Sequence, residues 1–347
     1  MAKRIALFNH KGGVSKTTTT FNLGWMLASK GHRVVMVDAD PQCNLTGLVL
    51  GFRGPDEFDS YYESEPDRNI RDALAPAFES QPRKIEAIEC VPVPGRDGLF
   101  LLPGHIRLSE YEVTLGIAQE LSATLQPLQN LPGAMSYLLA ETASEMAADY
   151  VLVDLNPSLG AINQNLLMTS DFFIVPTTPD YFSLMAMHSL AHVLPRWQSW
   201  ALEAQRKPAL RDAAYPFPTV TPQFLGIVLQ KYRPRAGAPT VGFQQWIDEI
   251  SKYTATTLVP QLATLGMTRP PDVYAHLGSF TNTFALAQIA DFNTLIARSQ
   301  DCRTPVFALS DDQLGHVGVI LEGDQKKREE FHAIFSDLAD RVILLTQ

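Results

Sequence analysis

The chain has 347 residues, 46% of them hydrophobic and 19% charged, with a formal net charge of −9. That is enough apolar material for one large α/β domain, and an acidic balance that excludes a protein built to coat nucleic acid over its whole surface. Three cysteines far apart in sequence, Cys43, Cys90 and Cys302, exclude a disulfide framework and a cysteine-ligated metal site, and they fit a reducing cytosol.

Strand-like segments alternate with helical ones along the chain, which predicts a mostly parallel, twisted sheet flanked by helices on both faces. Lys3 to Asn9 is the first predicted strand, opening where a signal peptide would stand. Lys16 to Lys30 is the first predicted helix, stopped by Gly31. Further strands are expected at Arg33 to Asp38, Gly98 to Leu102, Tyr150 to Asp154, Phe172 to Val175 and Phe224 to Gln230. Helices are expected at Leu108 to Leu125, Ala134 to Ala148, Ser183 to Leu194, Gly242 to Thr254, Thr283 to Ser299 and Gln325 to Leu344. No apolar run reaches bilayer-spanning length. The whole chain, 1–347, reads as a single domain with three elaborations. Residues 51–96 form an acidic, proline-bearing insertion that reads as solvated. Residues 195–222, with Trp197, Trp200 and several prolines, read as a decorated loop. Residues 236–304 show no familiar pattern.

The densest chemistry is at residues 10–20, His-Lys-Gly-Gly-Val-Ser-Lys-Thr-Thr-Thr-Thr. The ordinary phosphate loop has glycine six and one residues before its lysine; here those places hold His10 and Ser15. The physics survives the departure. Gly12 and Gly13 free the backbone so that successive N–H groups can point at phosphate, and the next helix adds its positive end. Lys16 is expected at the β- and γ-phosphates, Thr17 on Mg²⁺ through its hydroxyl, and Thr18 at the α-phosphate. Lys11 has no work in a one-subunit phosphate loop, which suggests an ATPase whose nucleotide lies between two copies.

Two acidic elements accompany the loop. Asp38 and Asp40, at i and i+2 on the end of the second strand, point into the crevice where α/β folds bind ligands. One can organise magnesium water and the other the attacking water. Asp154, ending an apolar strand, has the form of a second magnesium-organising element.

Together these residues resemble the ParA/MinD family of deviant Walker A ATPases, and the ParA branch most. The likeness rests on Lys11-Gly12-Gly13-Val14-Ser15-Lys16-Thr17-Thr18 and on Asp38 to Thr46. It extends to Leu101-Leu102-Pro103-Gly104, Asp154 with Asn156-Pro157-Ser158, Asn165, Val175 to Phe182, and Leu225 to Leu229. It fades after about residue 235. The resemblance implies an ATP-dependent homodimer in which Lys11 crosses to the partner's phosphates. It implies Asp40 at the attacking water, Asp38 and Asp154 at the magnesium shell, and Asn165 and Asp180 near the dimer face. It places Gln230 at the adenine edge.

The same resemblance implies non-specific DNA binding in the ATP state, a ParB-like or cargo-adaptor partner, and positioning of a plasmid, chromosome or other cargo in a bacterial cytosol. Candidate DNA cations are Lys231, Arg233 and Arg235, and Lys326, Lys327 and Arg328. The last helix carries Phe331, Ile334, Phe335, Leu338, Val342 and Ile343 at helical spacing. Its mixed polar face favours packing on the sheet over lying on a membrane. A MinD-like membrane regulator and a nucleotide-switched scaffold with little turnover are the competing expectations. A metal-cluster carrier would need paired cysteines.

Overall fold

The computed structural model describes residues 2–121, 125–235, 238–277 and 282–347. β1 (Lys3–Leu7) leads through the phosphate loop into α1 (Lys16–Ser29), and β2 (Val34–Ala39) is followed by α2 (Asn44–Leu50), α3 (Pro55–Ser64) and α4 (Ile70–Phe78). β3 (Val91–Pro92) and β4 (Leu99–Leu102) precede α5 (Glu110–Leu121) and α6 (Leu131–Glu145). Then come β5 (Tyr150–Leu155), α7 (Ala161–Met168), β6 (Phe172–Thr177), α8 (Tyr181–Arg206), α9 (Pro208–Arg211) and β7 (Gln223–Tyr232). A two-stranded ribbon, β8 (Pro234–Arg235) with β9 (Ala238–Pro239), leads to α10 (Val241–Tyr253), α11 (Val259–Thr264) and α12 (Pro271–Ala275). β10 (Ala285–Ala290), α13 (Leu295–Asp301), α14 (Asp311–Leu314) and α15 (Gly318–Leu345) complete the chain.

The main sheet has eight strands in the order β10-β7-β6-β1-β5-β2-β4-β3, parallel throughout except for the β3–β4 pair. β1 is therefore central, and the carboxyl ends of β1, β2, β5 and β6 open on one side, where such folds bind ligands. The register sets Asp38 of β2 directly against Asp154 of β5. The inner strands β2, β5 and β6 are buried along their whole length, as in a sheet covered on both faces. The two borders differ in chemistry. Pro92 lies on the short outer strand β3, and at the other border the Arg341 guanidinium donates to the carbonyls of Ala285 and Leu286 on β10.

Three expectations change. Thr283 to Ser299 is not a helix: its first half is β10 and only Leu295–Asp301 is helical. Ala-Leu-Ala-Gln-Ile-Ala has strong helix propensity, but pairing with β7 and burial of Leu286 and Ile289 win. Residues 51–96 are not simply solvated. α3 has no buried residue, whereas Ile70, Leu74, Ile85, Ile88 and Val93 are core. Arg71 ties this segment to α5, bridging Asp72, Glu79 and Glu110 at 2.6–3.1 Å. Residues 195–222 begin as helix rather than loop. α8 runs through Pro195 to Arg206, because its far half buries Trp197, Ala201 and Ala204. Trp197 packs 5.4 Å from Phe8, and the Trp200 indole donates to the Gln119 carbonyl, so both are structural.

The final helix packs as expected. Phe331, Phe335, Leu338 and Val342 are buried in the main core. No helix among the described residues is long and apolar enough to cross a membrane.

Candidate nucleotide site

The loop between β1 and α1 is shaped by two left-handed residues, Gly13 (φ 72°) and Ser15 (φ 60°). Ser15 thus takes the conformation for which glycine is the usual choice, at a cost on the order of 1 kcal/mol. It stands at the N-cap of α1 and makes no side-chain cap, and the first turn carries no acid. The N–H groups of that turn remain available to an anion.

Lys16 is buried, with Nζ donating to the Asn9 carbonyl at 2.9 Å and the Lys11 carbonyl at 3.4 Å. Burial lowers its pKa, and the charges of Asp154 and Asp40 work against that. Asn9 is a site residue the sequence did not single out. Its side chain receives the Lys11 N–H and donates to the Pro176 carbonyl, so it pins the start of the loop to β6.

Lys11 turns onto its own chain. Its ammonium lies 2.6 and 2.7 Å from the Asp180 carboxylate oxygens and 2.9 Å from the hydroxyls of Thr178 and Ser183. Asp180 also caps α8 through the Ser183 N–H. Hydrogen bonds from Lys11 and Thr178 hold this carboxyl below its ordinary range, although burial opposes them. Asn165, expected near a dimer face, is instead fully buried, its amide donating to the Pro132 carbonyl.

The three carboxylates gather at the strand ends. Asp38 accepts from the Thr46 N–H at 2.7 Å and hydroxyl at 2.6 Å, and Thr46 in turn receives the Gly104 N–H. A side chain at Gly104 would meet Asp38 at 3.0 Å, which is why glycine closes the β4 strand. Asp40 accepts from the Gln42 N–H. Burial pushes Asp38 up to about 6 and Asp154 up to about 8, the latter helped by facing Asp38 and resisted by the nearby Thr17 hydroxyl and Lys16. Both Asp154 carboxylate oxygens are buried without a hydrogen-bond partner.

That orphaned carboxylate beside the Thr17 hydroxyl is the chemistry a magnesium shell requires. Among the described residues no three His, Cys, Asp or Glu side chains form a direct metal cage. None is needed, because Mg²⁺ keeps several waters. An acid whose pKa is raised in the folded state holds its proton there and loses it on unfolding. Stability therefore falls as pH rises from about 4 toward 8. Asp154→Asn is expected to melt on the order of 5 °C above wild type at pH 8 without nucleotide, the gap narrowing by pH 5.5. Thermal melts giving the same gap at both pH values would refute the assignment.

Gln230, expected at the adenine edge, is buried and its amide nitrogen is occupied by the loop. It donates to Thr19 Oγ1 at 2.5 Å, and to the Val14 and Ser15 carbonyls at 3.4 and 3.5 Å. Three of the six candidate DNA cations have partners within the chain. Lys231 donates to the Gly13 carbonyl, Lys327 pairs with Asp324 and Arg328 with Asp311. Arg233 and Lys326 are exposed, and the Arg235 side chain lies outside the described residues. A cavity of about 300 Å³ is lined by residues 13–18 together with Asp40, Gln42, Asn44, Leu48, Pro157, Lys231 and Gln300. A larger one, about 760 Å³, adjoins it between residues 42–58 and 300–303. The chemistry of the smaller cavity, not its size, makes it the candidate nucleotide site.

Comparison with known proteins bears on the family and the fold. The AAA domain family matches residues 2–204, more than half of the chain. The sporulation initiation inhibitor protein Soj of Bacillus subtilis is 32% identical over 194 residues, 56% of this chain and 65% of Soj. The chain thus spans just under two thirds of that relative's length. The solved structure of pNOB8 ParA bound to nonspecific DNA superposes with a TM-score of 0.56 at 18% identity, covering 99% of this chain and 98% of that one. Cobyrinic acid a,c-diamide synthase from Mycobacterium smegmatis, solved with an ATP analogue and magnesium, shares the fold at a TM-score of 0.50 and 22% identity, covering 72% of this chain and 82% of that one. The chain belongs to the AAA domain family and, within it, to the ParA/MinD-type P-loop ATPases.

Proposed function

We propose that this chain hydrolyses ATP to ADP and phosphate within a homodimer that encloses nucleotide between two copies. In the ATP state the dimer binds DNA without sequence preference and positions a plasmid, chromosome or other large cargo, with a ParB-like or cargo-adaptor protein stimulating turnover. The observation that carries this reading is Lys11. It is a second loop lysine, held among acceptors at the open ends of the strands, and in this reading Lys16 serves the phosphates of its own chain.

In this reading Lys11 exchanges the Asp180 carboxylate for phosphate oxygens of the nucleotide in the facing copy. One anion replaces another, and the positive charge arrives where hydrolysis builds negative charge. Lys16 and the N–H groups of residues 12–18 bind the phosphates of the same chain. Asp40 orients the attacking water, whose oxygen bonds to the γ-phosphorus as the bond to the ADP oxygen breaks. The Thr17 hydroxyl would hold magnesium, and Asp38 and Asp154 would hold its water. Magnesium, when bound, offsets the charge on the β- and γ-phosphates. Gln230 fixes the loop against β7, with its remaining carbonyl oxygen left for the adenine edge.

DNA binding draws its support from the ParA-type relatives more than from this surface, since several of the candidate cations are paired. Gel retardation with unrelated DNA fragments tests it. ATP is expected to retard the DNA and ADP is not. ATP-dependent sedimentation with vesicles, without a DNA shift, would overturn this reading in favour of a membrane regulator. The burial of the final helix's apolar stripe argues against that alternative.

A further inference from the structure

The pairing of β7 with β10 slips by one residue at its end. Gln230 faces Ile289, Tyr232 faces Ala290, and Lys231 between them faces no residue of β10. Lys231 also has φ 60°, in the left-handed region that a lysine seldom occupies. This is a β-bulge, a device that re-aims a side chain beside a site. Here it turns Lys231 toward the phosphate loop, where its ammonium donates to the Gly13 carbonyl at 2.9 Å while the residue stays exposed. The residue lines the same cavity as Lys16 and Asp40. Its neighbour Gln230 donates to Thr19 Oγ1 in α1 and, at 3.4 and 3.5 Å, to the Val14 and Ser15 carbonyls, so two successive residues of β7 hold this segment.

The strand order gives this contact a direction. β5 and β2, which carry Asp154, Asp38 and Asp40, lie on one side of β1, and β7 lies on the other. With the metal-bearing end of the nucleotide held toward the acids, the rest of the molecule is free to extend toward β7. We infer that Lys231 is a nucleotide-binding lysine, its ammonium pinned at Gly13 and presented to the nucleoside diphosphate portion of the ligand. It thus serves ADP as well as ATP, and it is not a DNA contact. The inference rests on the nucleotide-site reading above and adds a third lysine to it.

The test uses the full chain and ADP as the probe. Lys231→Met is expected to weaken ADP binding about tenfold by calorimetric titration, and Lys231→Arg, which keeps the charge, to stay within threefold of wild type. At saturating ATP, both variants are expected to retard DNA as wild type does. Wild-type ADP affinity in Lys231→Met would overturn the inference. So would a loss of DNA retardation at saturating ATP with ADP affinity intact, which would return Lys231 to the DNA face. Similar losses in both variants would also overturn it, since they would report a damaged bulge. Wild-type protein that binds no ADP would overturn the underlying reading together with this one.

Discussion

Replacing Lys11 by alanine is expected to abolish ATP-dependent dimerisation while leaving ADP affinity within about threefold of wild type. The ammonium sits among acceptors of its own chain, 2.6 Å from Asp180, yet that carboxylate is about 40% exposed. A partly solvated ion pair holds weakly, on the order of 1 kcal/mol or less. A triphosphate in a facing copy offers more negative charge in a drier place, so the exchange is downhill once two copies meet. Light scattering on size-exclusion fractions, with a non-hydrolysable ATP analogue, measures the outcome. Asp180→Asn sharpens it, because asparagine still caps α8 but no longer attracts the ammonium. That variant is expected to dimerise at a lower analogue concentration. A Lys11→Ala protein that dimerises like wild type would show that Lys11 is only a peg on the start of α8.

Replacing Lys16 by alanine is expected to lower nucleotide affinity at least about 100-fold, since one buried, charge-assisted contact to phosphate is worth about 1.5–3 kcal/mol and in the proposed site this lysine would supply more than one. Lys16 is only 7% exposed and sits where Asp40 and Asp154 both act on its charge. Its removal also leaves the buried acids without their nearest cation, and they then retain protons to higher pH. Calorimetric titration with ADP separates the two consequences, because the loss of affinity persists at low pH where the acids are neutral in either protein. Unchanged affinity would remove Lys16 from the phosphate site.

Much of this site is legible in the sequence because its chemistry is local. A strand, two glycines, Lys16-Thr17 and a helix occur in one stretch, and Asp38 with Asp40, and Asp154, stand at the ends of two strands whose apolar runs are plain. The hidden parts depend on distant pairing. Asn9 matters through Pro176, Thr46 through Gly104, and Lys231 through a slip against β10. Thr46 falls within the Asp38 to Thr46 match, but nothing in spacing reveals that its hydroxyl links Asp38 to a glycine 58 residues onward. β10 reads as helix because alanine, leucine and glutamine carry helical preference into a segment whose fate is set by its neighbour strand. The insertion reads as solvated because its acids cluster on and just after α3, while α4 and the residues after it, where charges of both signs alternate with Ile70, Leu74, Ile85 and Ile88, supply the core.

The borders of the sheet restrict how this protein can meet copies of itself. Pro92 has no N–H to give an incoming strand, and Arg341 already occupies carbonyls that such a strand would seek. Growth by ribbon addition, the route to fibres and swapped edges, is therefore obstructed at both flanks. In the proposed dimer the copies would instead meet at the rim where the strands finish, and what that rim holds would govern whether they stay together.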